Sequence, residues 1–318
     1  MLKQDARILV VAGGWSAERE VSLATGDAVA GALERGGYTV MKVDLARPGT
    51  RLDAVAALVA GMREFNPDAV WIALHGPLGE DGTLQGLLEM AGVPYNGSGV
   101  LASAQGLDKV AAKQAFVSSR ITTPRYALVT TGEEPPEKSP LPLPVIVKPR
   151  SLGSSIGVSL VEKAEDLAGA LGKVRELGQD ALVEQYIVGK EIQVCVHRGE
   201  ALPLVEVISA NRIYDYEAKY VQGKSEHRIP ASLPKKQYEA AQKMGLAAYR
   251  SLGCEGVARV ELIAEQTGTL YALEVNTLPG MTVTSIVPEA AREAGISFLE
   301  LVTREVADAI ARRKGGTA

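Results

Sequence analysis

The chain has no G-x-x-x-x-G-K-[ST] segment, so any phosphate it handles is not held by a P-loop. Its early glycine turn, Gly13-Gly14-Trp15-Ser16, does not fit G-x-G-x-x-G, which argues against a dinucleotide-binding domain. Cysteine is scarce: Cys195 and Cys254 lie far apart without C-x-x-C spacing, as expected of buried thiols in a reducing compartment. No apolar run approaches the roughly 20 residues needed to cross a bilayer, and the apolar stretch near Met1 is too short for a signal peptide. Charge of one sign is also lacking. With 34 Lys and Arg against 38 Asp and Glu, net −4, no basic stripe offers itself to nucleic acid. These absences predict a cytoplasmic protein with no membrane and no nucleic-acid partner.

What is present reads as an ordinary globular chain, 46% hydrophobic and 23% charged. Its 318 residues are long for one core, so two or three domains are expected. Strands at 8–12, 40–43 and 69–74 alternate with a helix from near Ser16 and one carrying Val55, Leu58, Val59 and Met62 on a single face, ended by Asn66-Pro67. That order predicts a parallel sheet, whose ligands gather at the strands' carboxyl ends, where Gly13-Gly14 and His75-Gly76 stand. A helical stretch over 99–118 leads to strands at 125–129, 144–149, 157–161 and 181–186, one helix over 165–175 and a Pro-rich loop at 133–144. Strands at 192–197 and 202–208, a polar, aromatic loop over 213–229 and a helix over 237–252 come next. Two more strands precede the last helix, which Ser297 and Glu300 open as a capping box before Phe298, Leu301, Val302, Val306 and Ile310. The expected class is α/β, α+β overall: an N-terminal parallel α/β unit (1–105), a small central antiparallel α+β unit (106–187) and a C-terminal α+β unit (188–318).

The most informative segment is Glu274-Val275-Asn276-Thr277-Leu278-Pro279-Gly280. Residues i and i+2 of a strand share a face, so Glu274 and Asn276 form an oxygen-only pair suited to a hard cation such as Mg²⁺. The same letters are also turn chemistry. A preceding strand carries Glu261, and Gln266-Thr267-Gly268 turns it back, so antiparallel pairing brings Glu261 beside Glu274. Upstream, Val145-Ile146-Val147-Lys148-Pro149 runs into Ser151-Leu152-Gly153-Ser154-Ser155-Ile156-Gly157. Free N–H groups and hydroxyls of such a loop can wrap phosphate oxygens with Lys148 adding charge; the other reading is a plain flexible hairpin loop. Val183-Glu184-Gln185-Tyr186-Ile187 ends a strand with an acid among apolar neighbours, as an adenine edge would.

Together these pieces resemble the ATP-grasp superfamily and, within it, the D-alanine–D-alanine ligase family. The resemblance spans nearly the whole chain and is carried by GGWSAEREVSL (13–23), LHGPLGEDGTLQG (74–86), GSGVLAS (97–103), DK (108–109), VIVKPRSLGSSIGVS (145–159), YDYEAKY (214–220), GVARVEL (256–262) and EVNTLPGMT (274–282). It implies ATP-driven joining of two D-alanines through an acyl phosphate, for peptidoglycan precursors. On this basis Glu18 meets the first D-alanine's ammonium, with His75 near its carboxylate and Glu80 in the following loop. Ser154 and Tyr220 link to Glu18 when the 213–229 lid closes and excludes water. Lys109 and Lys148 contact ATP phosphates; Lys219 meets the γ-phosphate or the second substrate. Ser154, Ser155, Glu184, Gln185, Ile187 and Glu191 complete the nucleotide site. Arg259 and the Gly280 N–H stabilise the oxyanion, and Ser285 binds the second D-alanine's carboxylate. Two Mg²⁺ or Mn²⁺ ions fall to Glu261, Glu274 and Asn276. A K⁺ ion and a homodimer are further family expectations.

Three positions depart from the family pattern: Glu261 where Asp is usual, Gln185 where Lys is frequent, and Trp15 in the glycine turn. Other readings are a D-alanine–D-lactate ligase, a non-catalytic ATP-binding protein and a carboxylating ATP-grasp subunit. Tyr220 favours an amine nucleophile over a hydroxy acid. The presence of Arg259 and all three metal candidates speaks against a dead homologue.

Overall fold

The computed structural model describes residues 2–45, 50–209 and 224–315. Strand β1 (Arg7–Ala12) lies between β2 (Thr39–Asp44) and β3 (Ala69–Ile72), parallel to both. From Ile8 to Ala12 every β1 side chain is buried, the continuous apolar run expected of a parallel strand covered on both faces. The crossover helices are α1 (Arg19–Arg35) and α2 (Arg51–Phe65). Thr50 and Asp53 close a capping box at the start of α2, and Asn66 ends it in the left-handed conformation. The buried stripe of α2 is Ala54, Leu58, Gly61 and Met62, whereas Val55, expected on it, lies at the flank and is exposed. Helix α1 starts three residues later than expected, because Ser16 is occupied: its hydroxyl donates to the His75 carbonyl and accepts the Glu18 N–H.

Helix α3 (Thr83–Ala91) follows, and the expected single helix over 99–118 is two, α4 (Val100–Leu107) and α5 (Lys109–Ser118). Asp108 breaks it: its backbone is extended and its carboxylate accepts the N–H groups of Val110 and Ala111. Hydrophobic spacing runs through such a cap without registering it.

The second sheet comprises β4 (Tyr126–Val129), β5 (Val145–Pro149), β6 (Ser159–Val161) and β7 (Ala181–Gln185), with helix α6 (Leu167–Glu176) between the last two. Its order is β4-β7-β5-β6, antiparallel throughout, and α6 packs Leu167, Leu171 and Val174 on Val145 and Val183. The third sheet holds β8 (Gly189–His197), β9 (Glu200–Ala201), β10 (Val205–Ser209), β11 (Ser225–Arg228), β12 (Ala258–Glu265) and β13 (Leu270–Asn276), in the order β11-β10-β8-β12-β13 with β9 beside β8. Helix α7 (Lys235–Ser251) lies so close to this sheet that a Cβ on Gly245 would sit 2.5 Å from Val194. Helices α8 (Ile286–Glu293) and α9 (Phe298–Gly315) finish the chain. At α9 the Ser297 hydroxyl accepts the Glu300 N–H, and the Glu300 carboxylate pairs with Arg304.

The cores cross sequence order. Leu301, Val302 and Val306 of α9 share a core with Ile8, Val10 and Trp71 of the parallel sheet. Ala112 and Phe116 of α5 share one with Val194, Val260 and Ala272 of the third sheet.

Candidate active site

A cavity of about 1100 Å³ lies where the carboxyl end of the parallel sheet faces the ends of β12 and β13. Gly13 and Gly14, at φ +81° and +79°, turn the chain out of β1 toward it; a Cβ on Gly13 would meet the Asp44 carboxylate at 2.1 Å. Glu18, at the first turn of α1, lines the cavity together with His75 and Glu80. His75 is buried and held at both ring nitrogens, by Thr25 Oγ1 at 3.1 Å and Glu80 Oε1 at 3.4 Å. Glu80 is therefore a buried anchor of the histidine. The Gln85 amide steadies the same loop by donating to the Gly79 carbonyl at 2.6 Å.

The loop after β5 reaches across to this wall. Ser154 and Ser155 are both left-handed, at φ 52° and 54°, a conformation that non-glycine residues adopt at a cost of roughly 1–2 kcal/mol each. Ser154 Oγ donates to the Glu18 carboxylate. Lys109, the first residue of α5, is buried rather than solvated: its ammonium donates to the Leu152 carbonyl at 2.6 Å and lies 3.7 Å from Glu274 Oε2.

On the opposite wall, β12 and β13 pair with Glu261 directly opposite Glu274 and Arg259 opposite Asn276, followed by a register shift between Glu261 and Leu262. Paired residues share a face, and two like charges so placed repel unless a cation joins them. The Arg259 guanidinium donates to Glu261 Oε1 at 2.5 Å. Asn276 Oδ1 accepts the Leu278 N–H at 2.9 Å, so the turn chemistry is real and leaves the oxygen a second lone pair. The donor set of Glu261, Glu274 and Asn276 contains oxygen alone, which fits a hard divalent cation. Ser285 is the N-terminal flank of α8 but does not cap it; its Oγ accepts the Thr282 N–H at 3.0 Å. Gly280 packs against it, with room for a Cβ only 3.1 Å from that oxygen.

A second cavity of about 360 Å³ is lined by Lys148, Ser155, Glu184, Gln185, Ile187 and Glu191. Lys109, Leu152, Gly153 and Glu274 line both cavities. Every candidate residue among the described ones lines one or the other; Lys219 and Tyr220 lie outside the described residues. Gln185 accepts from Arg125 Nε at 3.2 Å, and Glu191 accepts from the Gln193 amide at 3.3 Å. Trp15 is partly exposed, its ring 5.8 Å from the Arg51 guanidinium carbon, a cation–π distance.

Glu184 is more than a wall of the slot. Its Oε2 takes Lys148 at 2.6 Å, and its Oε1 takes Lys113, a residue the motifs did not single out. Burial opposes ionisation of Glu184, but the two ammoniums outweigh it and hold its carboxyl below the ordinary range. Burial likewise opposes charge on Lys148, yet the carboxylates of Glu184, Glu274 and Glu261 raise it above the usual lysine value. For Lys113 burial wins, lowering it to about 8. A signal for Lys113 did exist: positions 109, 113 and 116 share one helical face, and Phe116 is core.

Two family models match the chain, D-ala D-ala ligase N-terminus over residues 50–98 and D-ala D-ala ligase C-terminus over residues 118–307. A D-alanine–D-alanine ligase of Pelotomaculum thermopropionicum is 45% identical over 312 residues, covering 94% of this chain and 95% of that protein. One from Geobacter sulfurreducens is 45% identical over 314 residues, covering 98% and 96%. Among solved structures, the D-alanine–D-alanine ligase from Bacillus anthracis complexed with ATP superposes with a TM-score of 0.85 at 32% identity, covering 98% of this chain and 99% of that one. With both cavities, the three sheets and these matches in agreement, the chain belongs to the D-alanine–D-alanine ligase family.

Proposed function

We propose that this protein joins two D-alanines at the expense of ATP, forming D-alanyl-D-alanine for peptidoglycan precursors. The observation that carries this reading is the meeting of the two cavities at Lys109 and Glu274: a nucleotide in the smaller one points its phosphates into the larger, beside Glu18, Arg259 and Ser285. The resemblance divides the chain into a substrate unit (1–105), a central ATP-grasp unit (106–187) and a catalytic unit (188–318).

In this reading Glu18 receives the ammonium of the first D-alanine, and Ser154 fixes the orientation of its carboxylate. His75, held by Thr25 and Glu80, stands near the substrate carboxylate. That carboxylate attacks the γ-phosphorus, the bond to the β-γ bridging oxygen breaks, and acyl phosphate and ADP result. Lys109 and Lys148, which both line the smaller cavity, offset the phosphate charge. The amine of the second D-alanine, in its free-base form and with its carboxylate at Ser285, then attacks the acyl carbon, and its proton goes to the departing phosphate. Arg259 and the Gly280 N–H face the oxyanion that forms, before inorganic phosphate leaves. Glu261, Glu274 and Asn276 are the residues that would hold Mg²⁺ or Mn²⁺, which when bound neutralises phosphate charge.

The test is direct. Protein, ATP, Mg²⁺ and D-alanine should give phosphate and D-alanyl-D-alanine by mass spectrometry. Phosphate release with another amino acid but not with D-alanine overturns the substrate. Adding D-lactate as second substrate tests the depsipeptide alternative, which Tyr220 disfavours.

A further inference from the structure

Lys113 is fully buried and lines neither cavity, yet its ammonium is fixed from three sides. It pairs with Glu184 Oε1, donates to Thr123 Oγ1 at 2.7 Å and sits 5.5 Å from the Tyr126 ring centroid. Lys148 holds the other oxygen of the same carboxylate and does face the smaller cavity. One buried anion therefore serves two cations, and one of the two looks into the slot. An isolated buried pair resists opening, because the partner left behind is an uncompensated charge. With a third member behind it, the pair can open toward a ligand.

We propose that Lys113 is a positioning residue of the nucleotide site, a resident counter-charge that keeps Glu184 compensated so that Lys148 can leave it for a phosphate group. The inference rests on the nucleotide reading of the smaller cavity given above. Helix α5 then serves the slot twice from one face: Lys109 at its first position reaches Leu152 and Glu274, and Lys113 one turn on reaches Glu184.

The test is a double-mutant cycle. In Lys113→Met, Glu184 holds Lys148 alone, so KM for ATP should rise about tenfold, while kcat stays within about threefold and KM for D-alanine is unchanged. Glu184→Gln alone shows what the site loses with that carboxylate, and adding Lys113→Met to it should raise KM for ATP no further, because Lys148 is already released. A purely structural Lys113 predicts a further loss in the double variant instead. Should Lys113→Met fail to fold, Thr123→Val, which removes the hydroxyl that steadies the ammonium, runs the same cycle with a smaller shift. An unmoved KM for ATP in Lys113→Met, or a double variant worse than Glu184→Gln alone, overturns the inference while leaving an active wild type and its nucleotide reading intact. A wild type that binds no ATP overturns both.

Discussion

Ser154 donates its hydroxyl hydrogen to Glu18 across 136 positions of sequence, joining the loop after β5 to the first turn of α1. Both residues line the larger cavity, and Ser154 makes the bond from a left-handed backbone. A hydrogen bond to a charged group contributes about 1.5–3 kcal/mol. Ser154→Ala is therefore expected to lower turnover by about 10- to 100-fold, with the melting temperature falling by several degrees, on the order of 3–8 °C. Ser154→Gly separates the two roles: it loses the donor but relieves the backbone, so activity falls while less stability is lost than in Ser154→Ala. Steady-state kinetics beside calorimetry reads both, and a Ser154→Gly variant of full activity sinks the idea.

Glu261 and Glu274 face each other across two paired strands, with Arg259 on the first and Lys109 near the second. Glu274→Gln should raise the Mg²⁺ concentration for half-maximal activity more than about tenfold, because the carboxylate proposed to hold the cation becomes a neutral amide. Glu261→Asp shortens the side chain by one methylene and keeps the donor, so its shift should be several-fold smaller. Mg²⁺ titration of ATP-dependent phosphate release distinguishes them. Equal shifts would mean that Glu261 contributes reach rather than charge.

How much of this was legible beforehand depends on the range of each interaction. Strand pairing between 258–265 and 270–276 follows from a short turn between two apolar runs, but the turn's own register would set Glu261 opposite Leu273; Glu274 faces Glu261 only through the register shift between Glu261 and Leu262, which spacing does not reveal. The parallel unit likewise follows from alternating periodicity. The Asp108 break could not, since a cap inside an apolar stretch leaves the spacing intact. Val55 misled because a helix face is chosen by what packs on it, and the sheet met the stripe through Leu58 and Met62 instead. For Lys113 the spacing gave the face and not the partner: whether a lysine on an apolar face turns outward or pairs inside depends on Glu184, far away in sequence.

Asp108 offers a stability test with a functional readout. Its carboxylate caps α5 and clamps Arg150, with Nη2 to Oδ2 at 2.7 Å. Burial opposes its charge, but Arg150 and the N–H groups of Ala111 and Val110 outweigh that, so its carboxyl lies below the ordinary 3.8. The folded value is depressed, so the contribution is complete above about pH 4 and is lost as pH falls through the folded value. Asp108→Ala should cost about 1–2 kcal/mol at neutral pH, flatten that acid limb, and raise KM for ATP by loosening Lys109, the next residue. A variant with wild-type acid stability excludes the cap as its source.

The last prediction concerns a pair remote from both cavities. His197 Nε2 and Glu305 Oε1 are buried 3.7 Å apart, and neither atom has a hydrogen-bond partner. Burial raises Glu305 to about 7, opposed by the N–H groups of Val257 and Gly97 and by Arg312, and helped by Asp308. Burial, with Arg304 and Arg198 adding to it and Asp308 and Glu300 opposing, lowers His197 to about 4. The signs oppose. Between pH 4.5 and 7 the fold keeps a proton on Glu305 that the unfolded chain has lost, so this residue makes stability fall as pH rises. Between pH 4 and 6.5 the unfolded chain protonates a histidine that the fold keeps neutral, so His197 makes stability rise. Over the shared window the two nearly cancel. Replacing one exposes the other: Glu305→Gln should show stability rising to about pH 6.5 and then levelling, and His197→Gln should show it falling to about pH 7. At pH 8 Glu305→Gln should exceed the wild type by an amount of order 3 kcal/mol, the equivalent of a shift from 4.5 to about 7. Urea denaturation at three pH values reads the slopes, and if Glu305→Gln and the wild type share one profile, Glu305 is already ionised in the fold.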